Sequence, residues 1–224
     1  MSTFIIGISG GVGGELAKKL RDRGDDVAGL VRQPEQRDAL ATFGAEGRVG
    51  DLTRLTPQEL AELIGPADSI VFTAGAGGAG KHATTAIDGD GVVKAIEAAR
   101  LAGVKRFILV SVFPEAWRER NLGDGFDHYI SVKKTAEIAL TKSGLDWVIL
   151  RPAVLLNEPG RGNVALGPAE IHGEITREDV AETLAELLHE TRIGQQILEL
   201  NTGDTPIREA VHSNVRTRAG LGAE

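Results

Sequence analysis

The 224 residues carry a formal net charge of −7, 42% hydrophobic residues and no cysteine. The acidic balance argues against a general binder of nucleic acid or of an anionic membrane surface, and the missing cysteine excludes disulfides, thiolate catalysis and cysteine-rich zinc sites and fits a reducing cytosol. No basic region precedes the short apolar run at the N-terminus, and no stretch nears the ~18 apolar residues of a membrane helix, so a soluble, unexported cytoplasmic protein built as one large α/β domain is expected.

The first stretch organises the chain. Phe4-Ile5-Ile6-Gly7-Ile8-Ser9-Gly10-Gly11-Val12-Gly13-Gly14 runs from β-forming residues into a glycine loop, and a helical apolar period at Leu16, Ala17 and Leu20 follows directly. Gly7, Gly10 and Gly13 give G-x-x-G-x-x-G, a variant of the dinucleotide fingerprint: one glycine turns the chain, one lets a pyrophosphate approach the backbone, and one lets the helix sit close to the sheet. The helix N-terminus then offers unpaired N–H groups to phosphate. With 29 glycines in the chain the spacing alone says little; the strand before it and the helix after it carry the inference. Gly7, Ser9, Gly10, Gly11, Val12 and Gly13 are the first candidate cofactor-binding residues.

Asp26 to Val31 reads as a second buried strand ending at Arg32, with Arg37 a helical turn beyond. An acidic residue here would hold the adenosine ribose of NAD, whereas an Arg accommodates the 2′-phosphate of NADP. The position therefore predicts NADPH preferred over NADH, the alternative being a solvated surface Arg. Residues 35 to 43 predict a short helix and 45 to 49 an edge strand delivering Gly50-Asp51-Leu52. Thr56-Pro57 starts a helix running to Ile64. Asp68 to Gly75 is the next strand, emptying into the small-residue loop 76 to 80, against which a ligand can lie. A long amphipathic helix spans 84 to 102 through Val92, Val93, Ile96 and Ala99, closed by Gly103. The apolar run Phe107 to Phe113 suits the centre of a parallel sheet and carries one hydroxyl, Ser111. A helix from Tyr129 to Ser143 and a strand from Trp147, stopped by Arg151-Pro152, follow. Residues 153 to 174 read as an irregular substrate flap. Thr176 caps a helix reaching about His189, and Gln196 to Leu200 is the last strand. Residues 1 to 206 form one domain; 207 to 224 add a short helix and a frayed tail. The alternation predicts a Rossmann-type, doubly wound, mainly parallel sheet with helices on both faces, and ligands then sit beyond the carboxyl ends of the strands. The five histidines show no metal-ligand spacing, so no metal is expected.

These motifs together resemble an atypical short-chain dehydrogenase/reductase of the NAD(P)-binding, NmrA-like and sugar-epimerase-like group. The resemblance spans about residues 3 to 206. Besides the glycine loop it rests on Gly50-Asp51-Leu52, Ala102 to Phe107, Tyr129-x-x-x-Lys133, Ser143 to Pro152, and Ile175-x-Arg177-Glu178-Asp179-Val180-Ala181. It implies that Asp51 and Leu52 contact the adenine, that Ala74 and Gly75 line the central ribose, that Lys133 holds the nicotinamide ribose, and that Pro152 and Val154 lie near the nicotinamide. Tyr129 and Lys133 share a helix face, and Lys133 is expected to lower the tyrosine's pKa so that Tyr129 serves as the proton donor, with Ser111 orienting the substrate. Whether Ser111 or Val112 holds the hydroxyl position is left open. The function implied is an NADPH-dependent oxidoreductase passing hydride to a small carbonyl, quinone or flavin-like acceptor. An NADP(H)-binding redox sensor without turnover, or less readily a nucleotide-sugar epimerase or dehydratase, are the alternatives. A small-molecule substrate is the expected partner, and relatives that dimerise through helices 84 to 102 and 129 to 143 leave a homodimer open.

Overall fold

Side chains alternate across a strand, so a sheet buried on both faces needs apolar residues at every position. The strands at the centre of this sheet come close to that demand. The computed structural model describes residues 1–117 and 120–216. Six parallel strands, β1 (Ser2–Ile6), β2 (Asp26–Val31), β3 (Glu46–Val49), β4 (Ser69–Phe72), β5 (Arg106–Val110) and β6 (Asp146–Pro152), lie in the order β3-β2-β1-β4-β5-β6. A separate parallel pair joins β7 (Val154–Leu156) to β9 (Glu174–Thr176). The main sheet continues past β6 with β10 (Gln196–Thr202), parallel to it, then β8 (Asn163–Gly167) and β11 (Thr205–Pro206), joined through antiparallel pairings. The strand order reverses between β1 and β4, the switch point at which open α/β sheets bind ligands.

Ile5, Ile108, Val148 and Leu150 face a layer formed by α1 (Gly11–Asp22), α2 (Pro34–Ala41), α7 (Arg177–His189) and α8 (Ile207–Ser213). Phe4, Ile6, Phe107, Leu109 and Ile149 face the opposite layer of α3 (Pro57–Ile64), α5 (Gly91–Ala102) and α6 (Asp124–Thr141). The expected fold class is therefore the observed one. Among the described residues no helix is long and apolar enough to cross a membrane.

Four local expectations are corrected. The helix expected over 84 to 102 begins as α4 (Lys81–Thr84), passes through a π-helical turn (Thr85–Asp90) and only then becomes α5. Its Val93, read as part of the apolar stripe, is 49% exposed. Helix α6 starts at Asp124, five residues before Tyr129, with acidic Asp124 and Asp127 in its first turn, where they complement the helix dipole. The strand expected to stop at Arg151-Pro152 continues through both, because Arg151 and Pro152 lie in register with Glu199 and Leu200 of β10. The segment 153 to 174 is not irregular: it supplies β7, β8 and the start of β9. Its order comes from the head of α7, where the Asp179 carboxylate accepts the N–H groups of Arg161 and Gly162, and Glu178 accepts that of Gly160 at 2.8 Å. The short helix expected after Pro206 is α8, whose Ile207, Ala210 and Val211 are buried in the same core. The expected frayed tail falls largely on residues 217–224, outside the described residues.

Arg106 opens β5 as a buried cation. Its guanidinium donates to Asp146 Oδ2 at 2.6 Å, to the Leu187 carbonyl at 2.7 Å and to the Ile193 carbonyl at 3.0 Å, tying the end of α7 to the sheet. Truncation would strand the Leu187 and Ile193 carbonyls away from water, while Asp146 keeps partial access to solvent, so Arg106→Ala is expected to destabilise the fold by about 2 to 4 kcal/mol. The same change at Lys18, whose pairing with Glu15 lies in solvent, should move stability by less than about 1 kcal/mol. Chemical denaturation of the two variants checks the contrast.

Candidate functional site

Gly7 leaves β1 with φ at +101°, a conformation that side chains resist. A β-carbon there would stand 2.5 Å from the Ala74 nitrogen. The Gly7 carbonyl accepts the Gly10 N–H at 2.9 Å, and a β-carbon on Gly13 would collide with that carbonyl and with Thr73 Oγ1. Gly7 and Gly13 thus bring the start of α1 against the end of β4. Gly10, by contrast, has an ordinary φ of −84° as the cap of α1 and is exposed. Val12 is a core side chain, 7% exposed. Gly11 looks toward protein: the Arg177 side chain lies across it and donates to the Leu155 carbonyl and to Asn157 Oδ1.

A cavity of about 520 Å³ opens at this switch point. It is lined by Gly7, Ser9 and Gly10 after β1, Arg32 after β2, Asp51 and Leu52 after β3, and Ala74 and Gly75 after β4. The structure therefore brings together eight of the residues expected to hold a cofactor. Gln36, Thr53 and Thr73 also line it and were not singled out from the sequence; Gln36 accepts the backbone N–H of Arg32 at 2.9 Å, which orders the strand end. Asp51 is held below the usual carboxylate range, first by the Thr53 hydroxyl and then by the Thr53 N–H, with Arg54 and Arg32 contributing.

A second cavity, about 420 Å³, shares Gly75 and Ala76 with the first and reaches Tyr129. Asp88 and Phe126 line it too. Tyr129 is half-buried, and Lys133, one turn on, is 4% exposed. The expected pairing of these two is not what the side chains make. Lys133 Nζ donates to the Val110 carbonyl at 3.0 Å and stands 3.6 Å from Asp88 Oδ1. Asp88 Oδ2 accepts the Ala76 N–H at 3.0 Å. Burial, followed by the Asp88 charge, pushes Tyr129 up to about 12, so the expectation that Lys133 lowers it is corrected. Lys133 is itself pushed down by burial, against the pull of Asp88 and Glu137.

Ser111 follows β5 with its N–H on the Leu150 carbonyl. Its hydroxyl is buried with no hydrogen-bond partner, whereas Val112 can make no such bond. Pro152 and Val154 lie at the end of β6 and in β7, at the same sheet edge, and line neither cavity. His172 packs edge-on against Phe113 and Trp117, and His128 bonds Thr85. Among the described residues no group of three or more acidic or histidine side chains is placed to hold a metal.

Comparison with known proteins bears on this geometry. The model of a family described as NAD(P)H-binding matches residues 7–191. A Bacillus subtilis (strain 168) protein named uncharacterized sugar epimerase YhfK is 39% identical over 213 residues, 94% of this chain and 99% of its own. The solved structure of the oxidoreductase ylbE from Lactococcus lactis superposes with a TM-score of 0.86 at 30% identity, covering 99% of this chain and 100% of its own. The anaerobillin reductase ChuY from Escherichia coli O157:H7 superposes with a TM-score of 0.73 at 26% identity, covering 91% and 98%. The residues present suit a dinucleotide: the close approach of α1 that Gly7 and Gly13 permit sets the helix start at the cavity, and Gly7, Ser9 and Gly10 line it there, whereas the buried, unpartnered Ser111 hydroxyl lines neither cavity.

The loop glycines should separate by role. Gly10→Val, at an exposed position of ordinary φ whose β-carbon would stand 3.2 Å from the Gly7 carbonyl, is expected to stay folded with a small loss of stability yet weaken dinucleotide binding at least about tenfold by intruding on the cavity. Gly7→Ala is expected to lose at least about 3 kcal/mol of stability, through its positive φ and the overlap of the new β-carbon with the Ala74 backbone. Titration of reduced-cofactor fluorescence and thermal melting measure the two effects.

Proposed function

The chain belongs to the NAD(P)H-binding family, and on that premise we propose that it is an NADPH-dependent oxidoreductase that passes hydride to a small carbonyl, quinone or flavin-like acceptor. The carrying observation is that the two cavities adjoin at Gly75 and Ala76, which line both: a dinucleotide held on the glycine loop would have Tyr129 on its far side. A bound reduced nicotinamide supplies the hydride. The protein's share is to hold the dinucleotide, exclude water and deliver a proton. Gly7, Ser9 and Gly10 with the start of α1 would receive the diphosphate. Arg32, exposed at the rim of the same cavity as Gln36 and Thr53, is the donor for a 2′-phosphate.

When hydride reaches a carbonyl carbon, negative charge develops on the oxygen. The Tyr129 hydroxyl gives its proton to that oxygen, the C=O becomes CH–OH, and the phenolate is reprotonated from solvent. Ser111 orients the substrate oxygen by donating its free hydrogen. The reductive direction also draws support from the Escherichia coli O157:H7 neighbour, named an anaerobillin reductase. An epimerase reading, carried in the name of the Bacillus subtilis relative, has less support, because the residues that would cover a nucleotide sugar are committed to β7, β8 and β9. The absence of cysteine favours a reducing compartment such as the cytoplasm.

A second reading has its own observation. Lys133 is engaged by Asp88 and Val110 rather than by Tyr129, which favours direct hydride transfer to a flavin or quinone that needs no tyrosine.

Calorimetry on Arg32→Ala should show NADPH weakened about tenfold or more and NADH nearly untouched, as expected for loss of a charge-assisted bond worth about 1.5 to 3 kcal/mol. Equal loss for both cofactors would assign Arg32 another role.

Tyr129→Phe should lower carbonyl reduction by roughly 10² to 10⁴ with NADPH affinity intact. Equal NADPH oxidation by both proteins with a flavin or quinone would establish the second reading. Tight NADPH binding with no turnover across a broad acceptor panel would leave a cofactor sensor.

A further inference from the structure

Aromatic side chains are scarce in this chain, with six Phe, two Trp and one Tyr. Phe4, Phe72 and Phe107 are fully buried in the sheet, and Phe43 and Trp147 pack against the two cores. The other four, Phe113, Trp117, Phe126 and Tyr129, all fall between positions 113 and 129, on the loop after β5 and the head of α6. With His172 they make a run of rings. The centroids lie 5.0 Å apart from Phe113 to His172, 4.8 Å from His172 to Trp117, 6.4 Å from Trp117 to Phe126 and 6.3 Å from Phe126 to Tyr129. Core packing does not account for this placement, because Trp117, Phe126 and Tyr129 are only half-buried. Trp117 moreover has a φ of +58°, a conformation that a bulky side chain adopts at a cost and that persists where the surroundings impose it. Here His172 packs edge-on against the indole.

Trp117 and Phe126 line a third cavity, of about 650 Å³, together with Arg120, Asp127, Ile130 and Lys134. Phe126 also lines the Tyr129 cavity, so the two adjoin at its ring. The exposed Arg120 places its guanidinium carbon 5.4 Å from the centre of the Trp117 ring. A guanidinium stacked in this way keeps the N–H groups of its edge for a carboxylate. Lys134 is already engaged, donating to Glu115 at 2.8 Å. We propose that this cavity holds the body of the hydride acceptor, and that the acceptor is a flat conjugated ring system bearing a carboxylate, with its rings against Trp117 and Phe126 and its carboxylate on Arg120. This rests on the oxidoreductase reading and names the substrate class for it, whichever way Tyr129 takes part. The volume lies within the range of sites for small organic molecules. Ring walls favour a ring, since offset and edge-to-face contacts add to the burial of area, and the planar fork of an arginine matches a carboxylate. A polyanion such as a nucleotide sugar would meet Asp127 on the same wall and a chain of net charge −7.

The probes are a naphthoquinone carboxylic acid and its neutral carboxamide, titrated calorimetrically into the NADP-loaded protein. The wild type should bind the acid at least about tenfold more tightly than the amide. Arg120→Ala, a change at an exposed position, should bring the acid to the affinity of the amide. Trp117→Gly, which accepts the positive φ without strain, should weaken both probes about three- to tenfold, and Trp117→Phe should recover most of that loss. In steady-state reduction of the acid, both losses should appear in KM with kcat little changed and NADPH affinity intact. A merely structural role would instead lower the melting temperature or the NADPH affinity and leave the acid-to-amide ratio as in the wild type. Equal binding of acid and amide by the wild type, binding of neither, or a ratio that survives Arg120→Ala would overturn the proposal. The same samples separate it from the reading beneath it: an acid that binds with the expected ratio and is never reduced defeats the oxidoreductase reading, whereas reduction of acid and amide with equal KM values defeats the assigned substrate class alone.

Discussion

The arrangement turns on the carbonyl of Gly7. It accepts the Gly10 N–H at 2.9 Å and the Thr73 hydroxyl at 3.3 Å, and Gly13 packs so close that a β-carbon would overlap it. One backbone oxygen thus sets how near α1 comes to β1 and β4. The contact is possible because Gly7 adopts a positive φ and because Gly13 has no side chain. Everything that faces the larger cavity inherits its position from this junction. The Ala74 N–H returns to the Ile6 carbonyl at 3.0 Å, so the loop after β4 leaves the sheet at a height set by the end of β1. Arg32 and Asp51 leave neighbouring strands whose registers are fixed through β1.

Buried charge does the corresponding work on the other half of the sheet. Arg151 near the end of β6 donates to both oxygens of Glu137 on α6, at 3.0 and 2.6 Å, and lies 3.5 Å from Glu199 of β10. Burial by itself would lower the Arg151 pKa, but the hydrogen bonds and charge of Glu137, then those of Glu199, raise it. Glu137 lies one turn beyond Lys133. The helix that carries Tyr129 is therefore held at two successive turns, by Asp88 from the loop side and by Arg151 from the sheet side. Single buried ion pairs add little net stability, yet each leaves a large penalty if one partner is lost, which makes them effective at fixing one arrangement against others. That is the requirement for a side chain meant to meet a substrate atom.

Much of this was legible in the residues because it depends on local chemistry. The parallel strands announce themselves as short apolar runs, and Thr56-Pro57 marks a helix start, which the structure completes as a capping box with Glu59. The glycine loop is readable because strand, turn and helix must follow one another within a few residues. What escaped depends on contacts distant in sequence. Asp88 lies four residues before Val92, on the buried face of its helix. A carboxylate at an apolar position was the available signal, but its partner Lys133 is 45 positions away and the π turn breaks the period that would have drawn attention to it. The Tyr129 and Lys133 spacing is genuine, yet spacing says nothing of which acceptors compete for the lysine. Residues 153 to 174 were read as irregular for a related reason: their glycines and prolines are locally those of a loop, and the order comes from carboxylates on a helix that follows them.

The two borders of the main sheet have one more consequence. On one side the sheet ends in β3, four residues long, whose Arg48 turns back to Glu46 and to the carbonyls that close α3. On the other it ends in β11, two residues long, one of them Pro206, which has no N–H to offer a neighbour. Edge strands invite recruitment of further strands unless they are short, charged or interrupted. Among the described residues both borders are closed to such growth, so the nine-stranded sheet they form has little means of propagating from molecule to molecule, and crowding at high concentration should leave the protein dispersed rather than fibrous.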